Sequence, residues 1–356
     1  MHCVLVSGRL LSQLCALFNM KQMTKIKKVK PGHSGLRNAV AGILFITIQL
    51  AISTSGFAQQ ETVKHSGQAG YYRVLVGDYE VTALSDGTLP INLHELLTNT
   101  TPSKIDSLSK FSYQTATEEA SVNAYLIKTA GKLILIDAGT AELYGPKLGK
   151  LSENLKKIGV SPDQINAVLV THIHTDHTGG LMEGHKMVFP NATIYISKPE
   201  VDFWLTEASR KKAPERLKHW FKEAEDKVGP YLKTGKVKSF EYGKELFPGV
   251  TPLASPGHTP GHTFYALESK GQRMLFVGDI IHAAAVQFAD PSVTIIFDVN
   301  PVAAAAQRIK TFKDAAAKGY WLAADHISFP GIGHLRFQGN GFIWIPINYS
   351  ATGSGQ

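Results

Sequence analysis

The chain has only two cysteines among its 356 residues, and both lie near the amino terminus, at Cys3 and Cys15. Residues 16–356 contain no thiol. A disulfide framework, a zinc-thiolate site and a cysteine nucleophile are therefore excluded for this part of the chain. Any metal chemistry here has to use histidine and carboxylate ligands.

Acidic residues are missing from positions 1–58, which hold seven of the 37 lysine and arginine residues. The other 30 basic residues are balanced by 29 acidic ones, so the formal net charge of +8 belongs almost wholly to this leader. A nearly neutral chain after residue 58 offers no basic stripe for a phosphate backbone. Nucleic acid is therefore not an expected partner.

The apolar stretch in the leader is short. Residues 39–52 include Thr47 and Gln49 and fall below the roughly 20 residues of a membrane span. They follow a basic stretch and precede small residues ending at Ala58, which is the layout of a secretory signal peptide. We predict that residues 1–58 are an N-terminal extension with a signal peptide cleaved after Ala58, followed by a linker over 59–70 and a domain over 71–350. The mature protein would be periplasmic or secreted, without a stable membrane anchor.

Alternating apolar residues predict antiparallel hairpins at residues 71–84 and 122–136. Residues 143–158 have apolar side chains at helical spacing, and residues 301–317 form an alanine-rich helical pattern. Ala167–Val170 predicts a short buried strand. Strands in both halves of the chain, with helices between them, favour an α/β fold of two sheets packed face to face with helices outside. This is a four-layer αβ/βα sandwich.

The sequence Thr-His-Ile-His-Thr-Asp-His-Thr-Gly-Gly at Thr171–Gly180 directly follows that predicted strand. It places four potential ligands within six residues, namely His172, His174, Asp176 and His177. Imidazole nitrogens and carboxylate oxygens suit zinc and similar divalent ions. A solvated loop has no reason to alternate these residues after an apolar strand, so we predict a metal site.

Three more candidate ligands, His258, Asp279 and His326, each follow a predicted strand. Strand ends are where a rigid scaffold places functional groups. Seven ligands are too many for one tetrahedral zinc, which four ligands close, but they suit two metals that share a carboxylate. We therefore expect two divalent metal ions per chain, with zinc as the expected element.

The pattern His172-x-His174-x-Asp176-His177, followed by His258, Asp279 and His326, resembles the metallo-β-lactamase fold superfamily. Longer motifs such as Pro-Gly-His-Thr-Pro-Gly-His-Thr and Phe-Pro-Gly-Ile-Gly-His resemble the methyl parathion hydrolases and the N-acyl homoserine lactone lactonases, over about residues 70–350. The resemblance implies that His172, His174 and His258 bind one metal. It implies that Asp176, His177 and His326 bind the other, that Asp279 bridges them, and that a bridging hydroxide is the nucleophile.

Other residues have expected supporting roles. Asp137, His262 and His334 lie in motifs that match the family, and we expect them to orient the ligands without touching the metals. His185 and His219 have no such context and are expected at the surface. Small-molecule pockets are lined mainly by apolar side chains, and Trp204 matches a pocket tryptophan of the family. The pocket candidates are Leu97, Phe203, Trp204, Phe288 and Phe329.

The expected substrate is a small apolar ester. The lack of cysteine argues against the β-lactamases that have a cysteine ligand. Glyoxalase-type thioester hydrolases typically carry a Gly-Cys-Gly-Arg-like segment after the bridging aspartate, whereas Asp279 is followed by Ile-Ile-His-Ala. In homoserine lactonases, a tyrosine three residues after the bridging aspartate assists the substrate. His282 stands there in this chain and could bind the substrate oxygen or protonate the leaving oxygen.

We therefore expect a lactonase that acts on N-acyl homoserine lactones, a quorum-quenching activity, with Asp279 and His282 as its catalytic residues. Phosphotriester hydrolysis, of the methyl parathion hydrolase kind, is the alternative. Two alternative hypotheses from other functional classes are a non-catalytic, metal-stabilised binding protein and an iron oxygenase. Relatives are often dimers, which is compatible with a homodimer here.

Overall fold

The computed structural model describes residues 67–129 and 131–352. The predicted leader and most of the predicted linker lie outside these residues. The strands are β1 (Tyr71–Val76), β2 (Tyr79–Asn92), β3 (Leu97–Thr98), β4 (Thr117–Thr129), β5 (Lys132–Ile136), β6 (Ala167–Leu169), β7 (Met182–Glu183), β8 (Lys186–Met187), β9 (Thr193–Ser197), β10 (Val237–Phe240), β11 (Val250–Ala254), β12 (Thr263–Ser269), β13 (Gln272–Phe276), β14 (Thr294–Ile295), β15 (Trp321–Ala323), β16 (Ile332–Gln338) and β17 (Gly341–Pro346).

The helices between these strands are mostly short. They are α1 (Leu93–Leu96), α2 (Pro102–Phe111), α3 (Leu151–Lys157), α4 (Thr175–Thr178), α5 (Lys198–Trp204), α6 (Glu207–Lys212), α7 (Lys218–Lys227), α8 (Gly229–Lys233), α9 (Ala284–Gln287) and α10 (Pro301–Lys318). Within residues 67–129 and 131–352, none of them has both the length and the apolarity that a bilayer-spanning helix needs.

A seven-stranded sheet has the order β1-β2-β4-β5-β6-β9-β10. β1 pairs antiparallel with β2 from Tyr71 opposite Leu84 to Val76 opposite Tyr79, as the first predicted hairpin requires. β4 and β5 form the second predicted hairpin. From β5 onward the neighbours are parallel, so β5, β6 and β9 all end at the same edge of the sheet.

A six-stranded sheet has the order β11-β12-β13-β15-β16-β17. Its strands are antiparallel except for β13 and β15, which run parallel. The β16–β17 hairpin was not predicted from the sequence. Two small sheets complete the described strands, and in one of them β14 pairs with β3.

One hydrophobic core lies between the two large sheets. Tyr125 and Ile134 of the first sheet and Leu267 and Phe276 of the second belong to one cluster of buried apolar residues. The outer faces are covered by other elements: α3 and α7 contribute to a cluster with the first sheet, and α10 contributes to one with the second. Two sheets face to face with helices outside are the predicted four-layer αβ/βα sandwich.

The prediction of one helix over residues 143–158 was wrong in its first half, because α3 begins only at Leu151. Gly145 and Gly149 have positive φ angles and flank Pro146, so the chain turns there instead of coiling. Asp86 holds this loop, because its buried carboxylate accepts hydrogen bonds from the backbone N–H groups of Thr140, Gly149 and Leu151.

The loop that follows β6 passes very close to the end of β5. Gly180 donates its backbone N–H to Gly139 O at 2.8 Å, and a Cβ atom at Gly180 would overlap the carbonyl oxygen of Ala138. Backbone atoms cannot move aside as the end of a flexible side chain can. The second glycine of the histidine motif is therefore required by packing between two loops.

We expect Gly180→Ala to lower the free energy of unfolding by about 1–3 kcal/mol, the usual cost of overpacking. Gly229→Ala is the matched control, because its Cβ would have only Glu225 Cγ nearby, at 3.8 Å. The control should leave the stability unchanged or raise it by up to about 1 kcal/mol. Urea unfolding midpoints at constant m-value measure both. Equal midpoints for the two variants would refute this account.

Candidate functional site

The seven predicted ligands come from four loops that each follow a strand. His172, His174, Asp176 and His177 lie between β6 and the end of α4, His258 follows β11, Asp279 follows β13, and His326 follows β15. All are buried except Asp176, which is partly exposed. The strand ends of both sheets bring the seven side chains into one cluster.

Three histidines converge on one side of the cluster. His174 Nδ1 lies 3.1 Å from His172 Nε2 and 3.0 Å from His258 Nε2. Asp279 Oδ2 lies 3.2 Å from His258 Nε2 and 3.5 Å from His172 Nε2. Three imidazole nitrogens and one carboxylate oxygen therefore face a common point.

The other side of the cluster has the same form. Asp279 Oδ1 lies 3.0 Å from His177 Nε2 and 3.0 Å from His326 Nε2. Asp176 completes this group, with carboxylate oxygens 3.6 Å from His177 Nε2 and 3.3 Å from His326 Nε2. Asp279 thus stands between the two groups and turns one oxygen toward each.

The outward nitrogens of four of the five histidines are already occupied, and His174 is the exception. His177 Nδ1 lies 2.8 Å from Asp137 Oδ2, and His258 Nδ1 lies 2.9 Å from Asp298 Oδ1. His172 Nδ1 contacts the Thr171 hydroxyl at 3.0 Å, and His326 Nδ1 donates to Ser121 O at 2.9 Å. Such contacts set the ring orientation of histidines that bind metals through the other nitrogen.

Two of the inward-facing atoms lack such partners. Within the described residues, His177 Nε2 and Asp279 Oδ1 are buried without a hydrogen bond. Buried polar atoms are normally satisfied, and a cation among these nitrogens and oxygens would satisfy them. The donor set of five imidazoles and two carboxylates fits a pair of divalent metal ions.

Burial and charge act in opposite directions on these histidines. Burial lowers the pKa values of His172 and His174 well below the usual range, so both are neutral, as ligands must be. Burial also opposes the charged forms of His258 and His326, but Asp279 and a second aspartate near each raise both pKa values to about 9. Despite its burial, Asp279 has a pKa well below the usual range because the histidines surround it.

Asp137 and His262 take the expected supporting positions. Asp137 accepts hydrogen bonds from the backbone N–H and hydroxyl of Thr171, besides its contact with His177. His262 Nε2 accepts the backbone N–H of Asp279 at 3.1 Å, while its Nδ1 donates to Ser255 O. Both residues therefore hold ligands from behind.

His334 is not near the cluster, which corrects the expectation of a supporting role. It lies on β16, where its Nδ1 donates to Tyr320 O and its ring packs on Trp321 with centroids 3.6 Å apart. Among the described residues its recorded contacts include none of the seven ligands. The sequence motif around it serves the packing of β15 against β16.

His282 lies at the edge of the cluster. Its Nε2 is 3.1 Å from Asp279 Oδ2, and its ring stacks on His326 with centroids 5.0 Å apart. Burial lowers its pKa, which favours the neutral ring. The buried amide of Gln287 accepts the backbone N–H groups of both His282 and Ala283, so the loop is held in place.

A cavity of about 290 Å³ opens onto the cluster. Asp279, His282 and His326 contribute to its polar floor, together with His174 and Asp176. Its other lining residues are mostly apolar: Leu89, Ile91, Leu96, Ala120, Tyr144, Trp220, Ile295 and Phe297. His219, expected at the surface, is exposed but also lines this cavity, and its ring packs on Trp220.

The five residues predicted to line the pocket do not line this cavity, and the prediction was wrong for each. Leu97 is buried behind the wall, because Leu96 and Leu97 are adjacent where α1 meets β3 and cannot both face the cavity. Phe288 stacks on Trp344 with centroids 5.4 Å apart. Phe329 is partly buried and packs against the core between the sheets.

Phe203 and Trp204 belong to the core beneath the first sheet. Trp204 touches His174 from behind, with ring centroids 5.5 Å apart, and donates its indole N–H to Glu200 at 2.8 Å. Trp220, from α7, takes the place at the cavity that the sequence assigned to Trp204. Helical spacing of aromatic residues does not distinguish a side chain in the core from one that lines a cavity, because both lie on an apolar face. The packing of the helix decides between them.

Several positioning residues were missed. Asp298 holds His258, Gln287 holds the His282 loop, and Glu200 accepts hydrogen bonds from two ligand loops. Asp325 places a buried carboxylate oxygen 3.2 Å from His177 Nδ1. Asp325 carried a usable signal, since it is adjacent to His326, and Gln287 is only five residues after His282. Asp298 and Glu200 are distant in sequence from the residues they support.

The chain is similar to known proteins in family, in sequence and in fold. A family model described as the metallo-beta-lactamase superfamily matches residues 117–327. A ribonuclease of Thermus thermophilus is 29% identical over 191 residues, which cover 52% of this chain and 41% of the ribonuclease. The N-acyl homoserine lactonase AiiA of Bacillus thuringiensis is 28% identical over 174 residues, 43% of this chain and 61% of that enzyme. The chain thus spans less than two thirds of these curated relatives.

Solved structures match over a larger share. The hydrolase AbOPH of the beta lactamase superfamily has a TM-score of 0.76 and 34% identity, covering 80% of this chain and 100% of that one. AidC, a dizinc quorum-quenching lactonase in complex with a product, has a TM-score of 0.71 and 29% identity, covering 79% and 98%. With the family match extending over more than half of its residues, this chain belongs to the metallo-β-lactamase superfamily.

Proposed function

We propose that this protein is a dinuclear zinc hydrolase that opens lactone rings, with N-acyl homoserine lactones as its substrates. The observation that carries the proposal is the cavity, which has seven metal-ligand side chains at and below its floor and an apolar wall above. Similarity to lactonases, one of them a dizinc enzyme, supports the same reaction class.

The acyl chain of such a substrate suits the apolar wall of the cavity, and its ester group suits the polar floor. Leu89, Ile91, Leu96, Ile295 and Phe297 offer an apolar surface to an acyl chain. The ester group would lie at the polar floor beside Asp279 and His282. Burial of an apolar chain contributes about 0.8 kcal/mol for each CH₂ group. Chain length should therefore affect binding.

His172, His174 and His258 would hold one metal, Asp176, His177 and His326 the other, and Asp279 would contact both. When bound, a divalent pair polarises a carbonyl oxygen and makes water acidic enough to act as a nucleophile. Asp279 contributes negative charge between the ions. His282 is neutral and can donate an N–H to the substrate oxygen or to the leaving alkoxide.

The leader supports a proposal of secretion, with the mature chain starting at Gln59. Edman sequencing of the protein recovered from a secreting host should give Gln-Gln-Glu-Thr as its first residues. An intact leader on the folded, metal-loaded protein would contradict this proposal.

The decisive experiment compares rates on N-acyl homoserine lactones of different acyl length, an aryl ester and methyl parathion. We expect the lactones to have the highest kcat/KM. His282→Phe keeps a ring in place but removes both nitrogens, so kcat on lactones should fall about 10²-fold, the lower end for loss of one hydrogen-bond donor to a developing oxyanion. Zinc content should stay unchanged.

His219→Phe is the matched control, because His219 also lines the cavity but is exposed and packs on Trp220. Its kcat should be close to that of the wild type. An unchanged lactone kcat in His282→Phe would remove His282 from the reaction. A higher kcat/KM for methyl parathion than for any lactone would replace the proposed substrate with a phosphotriester.

Zinc should bind more tightly as the pH rises. His258 and His326 have pKa values raised to about 9 in the metal-free protein, and each has to lose its proton before it can bind zinc. Zinc affinity should therefore rise continuously from pH 6 to about pH 9. Competition with a chelator of known zinc affinity measures it, and an affinity that is flat above pH 7 would contradict these pKa values.

A further inference from the structure

Glu200 is a completely buried carboxylate with four hydrogen-bond donors around it. It lies in the first turn of α5 and lines no part of the cavity over the cluster. Its Oε1 accepts the backbone N–H of Ile173 and the indole N–H of Trp204, both at 2.8 Å. Its Oε2 accepts the backbone N–H of Gly261 at 2.8 Å and the Thr259 hydroxyl at 2.9 Å.

The chain segments that supply these donors hold His172, His174 and His258, whereas Asp176 and His177 lie further along the first segment, on α4. Ile173 stands between His172 and His174, and Thr259 directly follows His258. Glu200 is therefore bonded to both loops that provide the three converging histidines. Among its recorded bonds in the described residues, none goes to the segments that hold Asp279 or His326.

The close packing around Glu200 leaves little freedom for these loops to adjust. A Cβ atom on Gly261 would meet Ser197 Oγ at 2.6 Å and Glu200 Cα at 2.7 Å, so α5 and the His258 loop are in direct backbone contact. Trp204 fills the remaining side by packing on His174. Small displacements of Glu200 would therefore be passed to the histidines.

We propose that Glu200 is a positioning residue that sets the mutual geometry of His172, His174 and His258, and thus controls the affinity of one metal and not of the other. This inference rests on the proposed metal pair. Three of the four donors are N–H groups, which can only donate. An acceptor is therefore needed at both oxygens, and a glutamine amide would turn an N–H₂ group toward at least one of those donors.

The test is the release of zinc from the holoenzyme to a chelator. In Glu200→Gln we expect one zinc ion to be lost at a chelator concentration about 10- to 100-fold lower than in the wild type. This is the usual effect of removing a hydrogen bond that orients a metal ligand. The second zinc ion should be retained as in wild type. Holoenzyme activity should fall with the lost zinc and recover when zinc is added in excess.

Asp86→Asn is the matched control for simple loss of stability. Asp86 is also a buried carboxylate with four hydrogen bonds, but its donors are Thr140, Gly149 and Leu151, which are not in the ligand loops. It should lower the melting temperature without releasing one zinc ion selectively. If Glu200→Gln does not fold, Thr259→Val removes one of the bonds at Oε2 and should act in the same direction, whereas Thr259→Ser should behave as wild type.

Double variants identify which zinc ion is affected. Adding Glu200→Gln to His258→Ala should change zinc content no further, because both act on the same ion, whereas adding it to His326→Ala should remove both ions. Loss of both zinc ions together from Glu200→Gln, or of neither, would overturn the inference. A wild-type protein that binds fewer than two zinc ions would refute the proposed function instead.

Discussion

The candidate site depends on the contacts between the buried carboxylate of Asp279 and the histidines around it. One oxygen faces His172 and His258, and the other lies 3.0 Å from both His177 and His326. A buried anion is costly unless opposite charge surrounds it, and here the surrounding histidines keep the pKa of Asp279 low. The same arrangement lets one side chain face both groups of histidines.

The sandwich architecture explains how such a group can be assembled. Asp279 and His326 follow β13 and β15, which are parallel neighbours in one sheet, whereas the four-ligand loop follows β6 in the other. The loop after β6 is anchored by buried hydrogen bonds to Asp137 and Glu200, and the His258 loop by buried hydrogen bonds to Asp298 and Glu200. Packing between the sheets therefore fixes the distances among ligands that are far apart in sequence.

The cavity depends on a different part of the chain. Its apolar wall is formed where β2, α1 and the segment around β14 meet, and β3 pairs with β14 just behind it. A small cluster of buried residues, including Leu93, Leu97 and Val293, supports that wall. The candidate metal ligands and the apolar wall of the cavity are therefore built on separate elements, which is how one fold can combine the same metal chemistry with different substrates.

The sequence alone determined which seven histidine and aspartate residues form the candidate metal site, the hairpins around Gly77 and Gly131, and the layered α/β class, because each depends on local spacing or strand periodicity. Ligand types within six residues of one another leave few alternatives. Tertiary structure alone decided that Trp220 and not Trp204 faces the cavity, that His334 packs on Trp321, and that Glu200 and Asp298 support the ligands. These contacts join residues distant in sequence, and hydrophobic periodicity does not distinguish a side chain that faces a cavity from one that faces the core.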